Sequence, residues 1–297
     1  MSFIPISPYL VFLPSASGAR FPYSNSLLIR DERTVLIDTG LEPLLMERIA
    51  NEYCVDLVIN SHCHEDHIAG NYLFPESQVC THELAAPIIK SVDQLIEMYD
   101  LKHPELEAQM LELMQLLSLR DSRVDIEYED DYVFHLGSTQ LQVLHTPGHS
   151  PGHCCFLIPE ENLIFLSDID LTSFGPWYGA LNSDLDSFIA SIEKLKGMTF
   201  EIAITSHKVE IFKGYTNIHE KLSRYLNCIY QREEKLLNFL KTEHTLEEIV
   251  NQAIIYGKFH EPVTTFRHME KIMIQKHLDR LLVNGNVKKT GEKYKIH

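Results

Sequence analysis

The chain has 297 residues, 44% of them hydrophobic and 23% charged, and a formal net charge of -16. That length can bury one large core or two smaller ones, with the apolar content of a soluble globular protein. The negative balance argues against a general polyanion binder, and no apolar run approaches the roughly 20 residues that a membrane span needs.

In chain order, Met1-Ser2-Phe3-Ile4-Pro5 carries no basic n-region, so no secretory signal is expected. Residues 26–30 and 34–38 are short β-rich runs joined by Asp31-Glu32-Arg33, which fits a hairpin. After Thr39-Gly40 a helix is expected, with Pro43 in its first turn and Leu44, Leu45 and Ile49 on one side. Residues 55–60 then form a buried strand that delivers His62 just past its carboxyl end, where open α/β sheets place their ligands. Residues 82–119 read as helical, broken at His103-Pro104, and form an insertion that packs on the body or covers the site. Strands return at 141–145 and 154–158, flanking the tight loop Thr146-Pro-Gly-His-Ser-Pro-Gly152. Residues 163–166 and 201–205 are further strands, ending at Asp168 and His207.

A long helix is expected over about 215–241, followed by a capping box from Thr245 to Glu248. A helix near 269–283, the turn Asn284-Gly285-Asn286 and a hairpin over 287–296 complete the chain. Residues 241–297 hold 10 Lys and Arg against 7 Asp and Glu, whereas residues 1–240 hold 16 against 35. Helices followed by a basic hairpin suggest a winged-helix-like unit. The six cysteines form no Cys-x-x-Cys pair, which fits reduced thiols and a cytoplasmic location.

The chemistry lies in His62-Cys63-His64-Glu65-Asp66-His67, joined later by His149, Asp168 and His207. In an extended segment His62 and His64 point the same way, Cys63 points away, and Asp66 and His67 follow where the chain turns into a helix. Imidazoles and carboxylates gathered in this way bind a Lewis-acidic cation. Trp177 and Tyr178 follow Asp168 closely and are candidates to line a substrate pocket, with Tyr178 donating to an oxyanion. His153 stands four residues past His149 and is expected to be buried and hydrogen-bonded, outside the ligand set.

As a set, Asp38 in Asp-Thr-Gly, His62-x-His64-x-Asp66-His67, His149 in Thr-Pro-Gly-His, Asp168 after a hydrophobic strand, and His207 resemble the metallo-β-lactamase superfamily over about residues 1–220. The resemblance implies a four-layer αβ/βα sandwich as residues 1–220, with the insertion at about 82–119. Residues 221–297 would be a linker helix and a small winged-helix-like domain. It also implies His62, His64 and His149 on one divalent metal, Asp66, His67 and His207 on a second, Asp168 bridging, and Asp38 orienting the ligand loop. Zinc is expected, with iron or manganese compatible. Asp66 is assigned to orient the attacking hydroxide and relay its proton.

The function expected is hydrolysis of an ester, thioester or lactone by a hydroxide held on the metal. The alternatives are phosphodiester hydrolysis on nucleic acid, aided by Lys288, Lys289, Lys293 and Lys295 of the tail, and a mononuclear-iron sulfur dioxygenase. A small-molecule substrate is the expected partner. A tail-mediated homodimer is compatible, nucleic acid is less favoured and no membrane is involved.

Overall fold

The computed structural model describes residues 3–297. Two sheets pack face to face. The first holds, in spatial order, β1 (Ile4–Pro5), β2 (Leu10–Leu13), β3 (Ser26–Arg30), β4 (Thr34–Ile37), β5 (Leu57–Asn60), β6 (Gln78–His82) and β7 (Ile126–Tyr128). The second holds β8 (Val133–His135), β9 (Gln140–His145), β10 (Cys154–Ile158), β11 (Leu163–Phe165), β12 (Ile202–Thr205) and β13 (Lys208–Lys213), also in sequence order.

Continuous apolar strands mean that both faces of each sheet are covered. The period-2 alternation shows how. In β2 and β3, Leu10, Phe12, Leu27 and Ile29 face the core between the sheets, whereas Val11, Leu13 and Leu28 face outward. In β10 and β11, Cys154, Phe156, Leu163 and Phe165 join that central core, whereas Cys155 and Ile164 face the other way. The outward face of the first sheet is covered by α1 (Pro43–Glu52), through Met46 and Ile49. The expected apolar side of this helix is therefore corrected. Leu44 is 82% exposed, because the stripe that meets the sheet starts two residues later.

After β5 comes the single-turn helix α2 (Glu65–Ile68). The insertion begins later than expected, since residues 78–82 still belong to β6. It then contains three helices, α3 (Ala86–Ile89), α4 (Val92–Glu97) and α5 (Pro104–Leu117). Ser91 caps α4 and adds a break that the apolar spacing did not signal. The outward face of the second sheet is covered by α6 (Leu185–Lys196) and α7 (Tyr215–Phe239).

The rest of the chain is β14 (His244–Thr245), α8 (Leu246–Val250), α9 (Val263–Val283), β15 (Val287–Thr290) and β16 (Lys293–Ile296), with sheet order β14-β16-β15. The Thr245–Glu248 capping box is formed. Helix α7 is the long helix expected over about 215–241, and it packs on the outward face of the second sheet. Helix α9 instead lies against α5 and α6. Its His268 Nε2 donates to the Tyr99 carbonyl at 2.7 Å, and its Lys276 Nζ donates to the carbonyls of Leu181 and Ser183.

Gly148 makes the close packing of the 146–152 loop possible. Its φ is +130°, and a Cβ there would lie 2.3 Å from the backbone N and Cα of Phe188 in α6. Backbone cannot move aside as a flexible side chain can. Gly148→Ala should therefore lose about 2 kcal/mol or more of folding stability. Chemical denaturation would check this, and an unchanged midpoint would contradict it.

Candidate metal centre

The parallel pairs β4–β5 and β11–β12 point their carboxyl ends to one edge of the sandwich. Asp38 follows β4, His62 and His64 follow β5, Asp168 follows β11 and His207 follows β12. Asp38 and Ser167 both take left-handed φ, +59° and +50°, so two strands turn sharply just where a ligand or its support is needed. Gly40 serves the same edge, since a Cβ on it would lie 1.6 Å from the Asp66 carbonyl oxygen.

The edge gathers two groups of side chains, His62, His64, His149 and Asp168, and Asp66, His67 and His207. In the first, His62 Nε2 and His64 Nδ1 are 3.1 Å apart, His149 Nε2 is 2.8 Å from His64 Nδ1, and His149 Nε2 is 3.2 Å from His62 Nε2. In the second, Asp66 Oδ2 lies 3.2 Å from His207 Nε2, and Asp66 Oδ1 lies 3.7 Å from His67 Nε2. Asp168 faces both. Its Oδ2 is 3.3 Å from both His149 Nε2 and His207 Nε2, and its Oδ1 is 3.1 Å from His67 Nε2.

The outward hydrogen bonds decide what those inward atoms are. The His149 ring donates from Nδ1 to the Trp177 carbonyl at 3.0 Å, and the His207 ring from Nδ1 to the Ala19 carbonyl at 3.2 Å. The His67 ring donates from Nδ1 to Asp38 Oδ2 at 2.8 Å. Carbonyls and carboxylates only accept, so in each neutral ring the proton sits outside and the inward Nε2 is a bare lone pair. His62 Nδ1 is 3.0 Å from Ser61 Oγ, which donates to Asp38 and accepts from Ser167 Oγ, so that ring also turns its lone pair inward. His67 Nε2 and Asp168 Oδ1 are buried without a hydrogen-bond partner. In their neutral forms these four rings turn acceptors towards the two carboxylates, an arrangement that is stable only with protons or cations placed among them. The residues therefore fit divalent metal ions.

Charge and burial point the same way. Burial, with neighbouring imidazoles, holds His62 and His64 well below the usual histidine range. Against the effect of burial, Asp168 and Asp66 hold His67 and His207 well above it. Burial opposes ionisation of Asp168, yet His207, His67, His62 and His149 keep it well below the usual carboxylate range.

Asp38 accepts from Ser61 N, Ser61 Oγ and His67 Nδ1. His153 is fully buried and donates from Nδ1 to the Thr146 carbonyl, while its Nε2 accepts from the backbone N of Asp168 at 3.2 Å. Burial, with His149 nearby, pushes it down to about 3, so it stays neutral and anchors the Asp168 backbone. Cys63 packs in the apolar cluster under the insertion, and burial, with Glu65 close by, pushes its thiol up to about 12.

The Trp177 indole stands beside His64 and His149, with ring centroids 5.7 and 5.6 Å away. Tyr178 is a correction. It is fully buried, and its hydroxyl is committed to His277 Nε2 at 2.6 Å and Arg232 Nη1 at 2.9 Å. Successive residues of an extended segment point to opposite sides, so Trp177 at the cluster sends Tyr178 into the core. Ser61, Ser167, Tyr256 and Arg232 were not expected at the site. The two serines carry a signal in hindsight, since each directly precedes a ligand at a strand end. The other two carry none.

The metallo-beta-lactamase superfamily pattern matches residues 19–207. The chain is similar to an atrochrysone carboxyl ACP thioesterase of Pseudocercospora fijiensis, 29% identical over 166 residues, covering 54% of this chain and 46% of that protein. It is also similar to an atrochrysone carboxyl ACP thioesterase of Aspergillus chevalieri, 23% identical over 270 residues, covering 86% of this chain and 74% of that protein. It spans about half the length of several curated relatives it matches, 46% in the first case and 55% for a lactamase-like protein of Aspergillus niger. A solved metallo-beta-lactamase family protein from Thermus thermophilus superimposes with a TM-score of 0.74 at 19% identity, covering 99% of this chain and 100% of that one. The shared fold therefore includes the C-terminal unit.

Metal must displace the protons that Asp168 and Asp66 stabilise on His67 and His207. Because both rings are held above the ordinary value of about 6.5, metal uptake near pH 7 should release protons, and affinity should fall as pH is lowered. Calorimetric zinc titrations of metal-free protein in buffers of different ionisation enthalpy would measure this. Zero proton release at pH 7 would contradict it.

Proposed function

The chain belongs to the metallo-beta-lactamase superfamily, and on that premise we propose that it is a metal-dependent hydrolase of acyl thioesters. The observation that carries this reading is Asp168 facing both ligand groups at 3.1 to 3.3 Å, which fits a pair of adjacent cations. His62, His64 and His149 would hold one ion and Asp66, His67 and His207 the other. Zinc is our assignment, and mixed imidazole and carboxylate ligands also suit iron or manganese. When bound, the metal supplies Lewis acidity, which acidifies water and polarises a carbonyl.

The chain's own groups do the rest. Asp66, 3% exposed and held near His207 and His67, orients the attacking water and takes its proton. Half-buried Trp177 offers an apolar wall for the acyl group beside His64 and His149. The relatives named as thioesterases support a thioester over an ester or lactone. A leaving thiolate, with a pKa of about 8.5, also needs a proton donor less than an alkoxide does.

Phosphodiester hydrolysis on nucleic acid finds less support. In a winged-helix-like unit the third helix would enter the groove, yet α9 lies against α5 and α6 and donates to their neighbours. We read the tail as part of the enzyme's own architecture.

The full chain should hydrolyse acyl thioesters in preference to lactones and phosphodiesters, and lose that turnover on exhaustive chelation and regain it with zinc. Undiminished turnover by chelated protein would overturn the reading. Asp66→Asn should keep its fold and lower kcat by about 100-fold or more. Full activity in the metal-loaded variant would remove Asp66 from the mechanism. Mononuclear iron with oxygen uptake would favour the dioxygenase instead.

A further inference from the structure

Arg232 of α7 is only 5% exposed, and among the described residues no carboxylate comes within 4.0 Å of its guanidinium. A buried cation without a counter-ion is costly unless its donors are well used. All of those seen go to one short segment. Nη2 donates to the Phe174 carbonyl at 2.6 Å, and Nη1 donates to the Pro176 carbonyl at 2.6 Å and to the Tyr178 hydroxyl at 2.9 Å. The guanidinium also lies over the Phe174 ring, 4.8 Å from its centroid. The residue enclosed by these contacts is Trp177, whose carbonyl accepts from His149 Nδ1 at 3.0 Å.

We infer that Arg232 is a positioning residue for the metal ligand His149. By capping the carbonyls on one side of Trp177 and the hydroxyl on the other, it fixes where the Trp177 carbonyl stands. That carbonyl in turn fixes the tautomer and orientation of the His149 ring. A second hold on the same residue acts elsewhere. The Trp177 indole Nε1 donates to Tyr256 Oη at 3.1 Å, and the Tyr256 backbone is pinned because its N donates to Glu270 Oε2 at 3.1 Å. This restrains the indole and leaves the carbonyl to Arg232. Helix α7 thus shapes the site through ligand geometry, and the C-terminal unit shapes it through the apolar wall. The inference rests on reading the cluster as a metal centre and on no particular substrate.

The test uses the full chain without substrate. Zinc affinity is measured by competition with a chromophoric chelator, and thermal unfolding is followed on the same metal-free preparations. Arg232→Lys keeps the charge but replaces a planar fork with a single point donor, and it should still fold while binding zinc about tenfold more weakly. Arg232→Met should bind more weakly still. If Arg232→Met does not fold, Arg232→Lys decides. Tyr256→Phe frees only the indole and should bind zinc as wild type does. Wild-type affinity in folded Arg232→Lys would overturn the inference. So would an equal loss in Tyr256→Phe, because the effect would then be general loosening of the tail. Affinities ranked as expected would stand even if the chain failed to hydrolyse any thioester.

Discussion

Lone pairs aimed at one another organise this molecule. His62, His67, His149 and His207 each commit their outer nitrogen to a neighbouring oxygen, so the inner nitrogens meet as acceptors. With Asp66 and Asp168 added, the cluster calls for positive charge among its acceptors, supplied by protons on His67 and His207 or by dications. Folding must hold these groups together, and the hydrogen bonds to the outer nitrogens are part of that support.

That support comes from both sheets. Asp38, Ser61 and Ser167 form a continuous relay from the end of β4 through the end of β5 to the end of β11. The backbone N of Cys154 donates to the Ser61 carbonyl at 2.9 Å, adding a main-chain link between the sheets at the same edge. The central core fixes the spacing of the two sheets, and the relay fixes their register where the chemistry sits. A side chain that merely filled space here could not replace Ser61, because its backbone and hydroxyl serve Asp38, His62, Ser167 and Cys154 together.

Much of this was legible in the sequence, because strand ends and ligand residues coincide locally. The runs before Asp38, His62, Asp168 and His207 are short and mostly apolar, and each stops one to three residues before its functional side chain. The fold class followed from the resemblance that those ligand motifs carry. Tyr178 was misjudged because proximity to Asp168 in sequence does not say which way a residue points, and Trp177 had already taken the inward position. Leu44 was misjudged because three apolar residues in the first turn of α1 leave the stripe ambiguous. Arg232 and Tyr256 were invisible for a different reason. They reach Trp177 and its neighbours across 54 to 79 positions of sequence, and no local period records a contact of that range.

The anchoring of His207 has a consequence for biosynthesis. Its ring is held by the Ala19 carbonyl across 188 positions, and Asn25 reaches the Thr205 carbonyl across 180. A chain emerging from the ribosome can present His62 and His64 early, but the second trio stays open until residue 207 has been made and folded back onto residues 19–25. Premature capture of a metal by the nascent chain would engage only part of the ligand set and so bind weakly and reversibly. The second trio is thus completed only by these contacts between distant segments of the chain.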